Sequence, residues 1–197
     1  SGPSHAEEVI EGYPTTLVSA SPNTEVASAV QNLFSNETLR TYINADIKGV
    51  ELGGSMKNVI AIASGIVDGI GYGDNTKAAL LTRGLTEISR LGVAMGGSIK
   101  TFSGLSGIGD LMVTCFSKHS RNRFVGEEIG QGKSLTEILK EMSMVAEGVN
   151  TAESVYALSE KYRVSMPISQ AVHDILFKDK DPKTAIQELM SRELIEE

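Results

Sequence analysis

Residues 50–70 read VELGGSMKNVIAIASGIVDGI. At about 100° per residue the apolar positions recur as in a helix, and the pattern stops at the glycine-rich GIGYG of residues 69–73. The face around Lys57 gathers Val50, Gly53, Gly54, Ile60, Ala61 and Ser64. The opposite face gathers Leu52, Val59, Ile62 and Ile66 and reads as core. A lysine on a stripe of small residues can meet a ligand closely, because Gly53 and Gly54 put nothing in the way. Placed beside a reacting oxygen it can donate or accept a proton. From spacing alone the plainer reading, a solvated lysine on an exposed face, is the favoured one. Asn58 follows and adds a donor and an acceptor.

The stretch divides the chain. Before it the signals alternate. Ser4 with Glu7 fits a capping box, so a helix is expected to start near His5. Residues 15–21, TTLVSAS, form a β-branched run that reads as a strand. Pro22 and Asn23 lead into residues 25–34, EVASAVQNLF, where Val26, Val30 and Leu33 stand at helical spacing. Residues 39–46, LRTYINAD, read as a second strand. Strand, helix, strand is a βαβ unit, and such units sit in a larger covered sheet. Two strands alone make a poor sheet, so residues 1–46 are expected to be the tail of an α/β domain. After residue 47 only helical patterns follow, at 77–96, 103–116, 120–132, 134–142, 150–162, 167–177 and 181–194. The expected fold is mainly α: an all-helical part over 47–197, preceded by a short βαβ remnant.

Composition narrows the function classes. The formal net charge is −7, which argues against general nucleic-acid binding, since that needs a basic face. It leaves room for one anionic small molecule held by a local cluster. The one cysteine, Cys115, forms no internal disulfide. No apolar run is read as reaching the ~20 residues of a membrane span, and no signal peptide opens the chain. The expected location is the cytoplasm, with no membrane partner. His5, His119 and His173 are scattered and give no metal site with Cys115. Met142, Met144 and Met166 read as packing residues. Residues 126–134, GEEIGQGKS, miss the phosphate-binding loop by one position, because Glu127 stands where glycine is required.

Residues 110–123, DLMVTCFSKHSRNR, hold Lys118, Arg121 and Arg123 and no acid after Asp110. Asp110 and Thr114 are four apart and share a helical face. They can orient a substrate hydroxyl, although an acid in a first turn also suits the helix dipole. Ser120 suits an N-cap and puts Arg121 and Asn122 in the first turn, where free N–H groups and a guanidinium favour phosphate. A solvated charged turn is the alternative.

Four segments appear in order: SGPSHAEEV (1–9), VELGGSMKNVIAIASGI (50–66), FSGLSGIGDLMVTCFSKHSRN (102–122) and MVAEGVNTAESV (144–155). Together the sequence resembles the NAD(P)-dependent glycerol-3-phosphate dehydrogenases of the bacterial type, from Ser1 to about Glu153. The resemblance implies a Rossmann cofactor domain ending at residue 46. A helical substrate domain over 47–197 follows, of the 6-phosphogluconate dehydrogenase C-terminal-like kind. It implies an oxidoreductase interconverting dihydroxyacetone phosphate and sn-glycerol 3-phosphate, with NAD or NADP as cofactor, in lipid and carbohydrate metabolism and for phospholipid biosynthesis. Carried over residue by residue, Lys57 is the catalytic proton donor and acceptor. Gly2, Ser4, Lys57, Asn58, Asp110, Thr114, Ser120, Arg121 and Asn122 bind substrate, while Ala6, Arg121, Val145 and Glu147 contact the cofactor. No metal is implied, and a homodimer is admitted. Most of the cofactor domain, with its nucleotide loop and a further substrate lysine, has no counterpart here. The chain is therefore expected to bind cofactor poorly and to be inactive alone. Two other readings stay open: half of a related two-domain hydroxy-acid dehydrogenase, or a non-catalytic module that binds phosphate esters or mediates dimerisation.

Overall fold

The computed structural model describes residues 1–142, 145–194 and 196. The N-terminal part runs α1 (Ala6–Ile10), β1 (Thr15–Ala20), α2 (Thr24–Phe34) and β2 (Leu39–Asn44). The two strands pair in parallel, from Thr15 opposite Leu39 to Ala20 opposite Asn44, so the βαβ reading holds. Asn23 caps α2 by accepting from the Glu25 N–H at 2.9 Å. One expectation fails here. The Ser4–Glu7 capping box does not form: His5 takes the N-cap position without a side-chain bond, and the Ser4 hydroxyl donates to the Gly2 carbonyl instead. In α2 the buried residue is Ala27, whereas Val26, Val30 and Leu33 are exposed, Leu33 to 78%. The helical spacing was right, but that face is uncovered.

One carboxylate makes the junction. Asp46 caps α3 (Ile47–Ile70) by accepting from the Gly49 N–H at 2.9 Å. It also accepts from the Ser98 N–H and the Thr101 hydroxyl, both at 2.7 Å. Its own N–H donates to Asn44 Oδ1 at the end of β2. Strand, core helix and the following helical turn are therefore tied at one point. Burial pushes the Asp46 carboxyl up, but the donors from Ser98, Gly49 and Thr101 together hold it below its ordinary value of 3.8. A carboxyl lowered in the folded state adds stability above its unfolded value and loses it as the pH falls through the folded one. Asp46→Ala is expected to cost about 2 kcal/mol, or roughly 4–8 °C in Tm at neutral pH. In melting curves taken against pH, the gap to the parent should close below about pH 3.8.

The rest is helical: α4 (Asp74–Ala94), α5 (Ile99–Phe102), a π-helical turn at Leu105–Gly109, α6 (Asp110–Phe116), α7 (Arg121–Gly130), α8 (Leu135–Glu141), α9 (Glu147–Tyr162), α10 (Pro167–Phe177) and α11 (Pro182–Met190). Residues 103–116, expected as one helix, divide because the π turn interrupts the period immediately before Asp110. The core is built around α3. From Asn58 to Val67 every residue of that helix is buried, and nearer its start Val50 and Gly53 of the lysine face are buried while Leu52 of the core face is only partly so, so the expected division into a lysine face and a core face does not hold. The helices α4, α6, α7 and α9 cover the rest. At 24 residues and a mean hydropathy of 1.2, α3 has the length and composition of a membrane span, contrary to the sequence reading. Its most apolar window is 72% buried by its neighbours.

Glycine lets α7 lie directly on α3. A Cβ on Gly65 would stand 1.9 Å from the Arg123 carbonyl oxygen, and one on Gly126 would stand 1.9 Å from the Ile62 carbonyl oxygen. Gly69 and Gly130 repeat the arrangement one turn further along. Elsewhere in the core Glu87 is 3% exposed. Its carboxylate accepts from the N–H groups of Ile168 and Ser169 and from the Ser169 hydroxyl, at 2.6–3.0 Å. It thereby caps α10, whose N-cap Met166 supplies no side-chain bond. Burial holds Glu87 above its ordinary value despite these donors. Met166 is buried and Met142 packs at the edge of the core, as expected of packing residues. Met144 lies outside the described residues.

Candidate active site

Lys57 and Asp110 meet. Lys57 leaves the exposed flank of α3 where the buried half begins, and Asp110 opens α6 directly after the π turn. The Lys57 ammonium donates to Asp110 Oδ1. Their side chains are 18% and 7% exposed, so this pair is shielded from water and its geometry is held. Thr114, one turn along α6, donates its hydroxyl to the Asp110 carbonyl at 2.6 Å and stands 3.5 Å from Oδ1. It braces the acid from behind. The shared face of Asp110 and Thr114 expected from spacing is realised, with Thr114 turned to the protein.

Gly2, Ser4, Lys57 and Asp110 line one cavity of about 230 Å³. Gly2 adopts φ 124°, a backbone conformation that other residues rarely hold, and a Cβ there would stand 3.2 Å from the Thr16 carbonyl oxygen of β1. Sequence reasoning missed the three residues that complete the wall: Ser1, His5 and Val113. The Ser1 hydroxyl donates to Asp110 Oδ2 at 3.2 Å. His5 Nε2 is enclosed and has no partner among the described residues, and its ring lies 6.1 Å from that of His119. A larger groove of about 480 Å³ runs between Tyr72 and Met190. It contains none of the expected site residues, whereas the smaller cavity contains four of them.

The small-residue stripe does a different job from the one expected. A Cβ on Gly53 would lie 2.7 Å from the Ser106 carbonyl oxygen, and one on Gly54 would lie 3.4 Å from Ser1 Oγ. The glycines admit the π turn and Ser1 to α3.

A second group lies along α7. Ser120 caps the helix as expected, accepting from the Arg123 N–H at 3.2 Å. Arg121 in the first turn is exposed and has no carboxylate within ion-pair distance among the described residues. Asn122 is buried to 9% exposure, and its Oδ1 accepts from the Gly148 N–H at 2.8 Å. Gly148 is wedged between Asn122 and the Asn58 carbonyl, so Asn58, Asn122 and the start of α9 converge. The basic island is smaller in space than in sequence. Arg123 is committed to Asp68 at 2.8 Å and Glu127 at 3.1 Å, and His119 stands 3.9 Å from Glu7. Arg121 and Lys118 remain exposed. Ala6, Val145 and Glu147 are exposed as well and lie away from the cavity wall. Cys115 is fully buried, and burial pushes its thiol up to about 12, so it brings no nucleophile to the site.

Residues 46–187 match the family described as NAD-dependent glycerol-3-phosphate dehydrogenase, C-terminus. The chain belongs to that family. The matched stretch of the dehydrogenase C-terminal family runs from the cap of α3 into α11, so it includes Lys57, Asp110 and the α7 start and leaves Gly2, Ser4 and Ala6 outside. The chain is 60% identical over 191 residues to the NAD(P)+ glycerol-3-phosphate dehydrogenase 1 of Salinibacter ruber, covering 97% of this chain and 56% of that protein. It is 59% identical over 192 residues to the Chlorobium luteolum enzyme of the same name, covering 98% and 58%. The crystal structure of glycerol-3-phosphate dehydrogenase from Coxiella burnetii superposes with a TM-score of 0.94 at 43% identity, over 98% of this chain and 59% of that one. The chain thus spans somewhat over half the length of these dehydrogenase relatives.

Proposed function

We propose that this chain is the substrate-binding part of an NAD(P)-dependent glycerol-3-phosphate dehydrogenase, with residues 1–46 belonging to the cofactor domain and 47–197 forming the substrate domain. The reaction interconverts dihydroxyacetone phosphate and sn-glycerol 3-phosphate in the cytoplasm, as a step toward phospholipids. A homodimer is admitted as its assembly. The observation that carries this reading is the shielded Lys57–Asp110 pair on the wall of a small cavity, a short distance along the chain from an exposed arginine at a helix N-terminus.

The residues present fit a dinucleotide at the cofactor side. Ala6, Val145 and Glu147 are exposed, and Arg121 is a cation with no carboxylate partner among the described residues, suited to phosphate. When bound, the nicotinamide supplies a hydride. This chain's residues do the rest. As an ammonium, Lys57 stabilises the negative charge that develops on the carbonyl oxygen and delivers a proton to it. Asp110 aims that ammonium, and Thr114 fixes Asp110. At the other end Arg121, with the free N–H groups after Ser120, takes the phosphate, and this remote anchor holds the carbonyl in place. Asn122 is assigned here through its backbone N–H and its hold on α9, since its side-chain oxygen is already bonded to Gly148.

The test uses a chain completed with the N-terminal part of the Salinibacter ruber relative, followed by NADPH oxidation. Dihydroxyacetone phosphate should turn over. Dihydroxyacetone, lacking the phosphate, should be poorer by at least about 100-fold in kcat/KM. Equal rates for the two, or none with the phosphate ester, would overturn the reading. In the same chain Arg121→Ala should lower kcat/KM by about 10–100-fold, mainly through KM. An unchanged KM would remove Arg121 as the anchor.

A further inference from the structure

We propose that Ser1 is a positioning residue: its hydroxyl sets the Asp110 carboxylate, and through it the Lys57 ammonium. The assignment rests on the dehydrogenase reading above. The two oxygens of Asp110 have different partners. Oδ1 takes Lys57, and Oδ2 accepts from Ser1 Oγ at 3.2 Å. Thr114 does not serve Oδ2, since its hydroxyl donates to the Asp110 backbone carbonyl. Among the described residues Ser1 is therefore the side-chain donor on Oδ2, in an acid that is 5% exposed.

Ser1 is held for this task. Its carbonyl accepts from the Val18 N–H at 2.8 Å and its amine donates to the Val18 carbonyl at 3.2 Å, so β1 fixes the backbone. On the other side Gly54 of α3 leaves the room that the hydroxyl occupies. Without the hydroxyl, Oδ2 becomes a nearly buried charged acceptor with no donor among the described residues, and the carboxylate is free to turn about its broad terminal torsion. The ammonium paired to Oδ1 turns with it, and a proton donor displaced from its line loses rate while the remote phosphate anchor is untouched. The bond has a second consequence. It runs from the βαβ unit to the helical bundle, so alignment of Lys57 depends on those two parts being seated on each other.

The experiment uses the completed chain. Ser1→Ala should lower kcat by about tenfold, the worth of a charge-assisted hydrogen bond, with KM for dihydroxyacetone phosphate changed by less than about twofold. Ser1→Thr keeps the hydroxyl and should recover most of the rate. In an Asp110→Asn background Ser1→Ala should add no further loss, because the two act as one unit. Parent kcat in Ser1→Ala, alongside a Lys57→Ala variant that has lost turnover, overturns the Ser1 assignment and leaves the dehydrogenase reading standing. Losses that multiply in the Asp110→Asn background overturn it too, since Ser1 then acts elsewhere. A Lys57→Ala variant with full turnover brings down the underlying reading instead.

Discussion

Lys57→Ala in the completed chain is expected to reduce kcat by about 10²–10⁴-fold, the usual range for a positioned general acid. In the proposed reading Arg121, not Lys57, holds the phosphate, so KM should move far less than kcat. The ammonium acts most strongly on the oxygen whose charge grows during hydride arrival, and an interaction gained in the transition state appears in kcat. Lys57→Arg should not rescue it: the planar guanidinium keeps the charge but does not give up a proton near neutral pH. Steady-state rates with dihydroxyacetone phosphate and NADPH settle the point. A loss carried wholly by KM would recast Lys57 as a binding residue.

The second large effect is on stability. Gly126→Ala is expected to cost at least about 3 kcal/mol and to lower Tm by roughly 6–12 °C. Alanine would normally favour a helix by about 1 kcal/mol over glycine, so the sign itself is informative. The added methyl would lie 1.9 Å from the Ile62 carbonyl oxygen and 2.9 Å from the Ile66 nitrogen. Both are backbone atoms of the central helix and have no rotamer through which to move aside. The only relief is to part α3 from α7, which uncovers the core around Ile62 and Val125. A thermal melt equal to the parent's would mean that the two backbones are not in contact.

Much of the architecture could be read from residue order. Short β-branched runs marked the strands, and Asn23 and Ser120 marked the starts of α2 and α7, because those signals are local. What could not be read depends on partners distant in sequence. Arg123 counts in the basic island, but its partner Asp68 belongs to another helix, fifty-five residues away. Val26, Val30 and Leu33 have helical spacing, which fixes the conformation and says nothing of whether a neighbour covers them. The π turn before Asp110 leaves the apolar pattern helical, so its extra residue per turn is invisible to a period count. Gly53 and Gly54 illustrate the same limit: glycine on a helix marks a close approach without naming the visitor. Lys57, Asp110 and Arg121 stood out as chemical types, and the resemblance gave them roles. Ser1 had no signal of either kind.

The bond from the Asn122 side chain to the Gly148 N–H joins the start of α7 to the start of α9. If the phosphate ester is gripped by the first of these and the dinucleotide touches Val145 and Glu147 beside the second, the two ligands order the same hydrogen-bonded junction, and whichever arrives first lowers the cost for the other. Their affinities then obey a reciprocal law: the ester should tighten the dinucleotide by the factor with which the dinucleotide tightens the ester, about 5–150-fold. Asn122→Ala should bring that factor toward one in paired titrations of the completed chain, turning cooperative partners into independent ones.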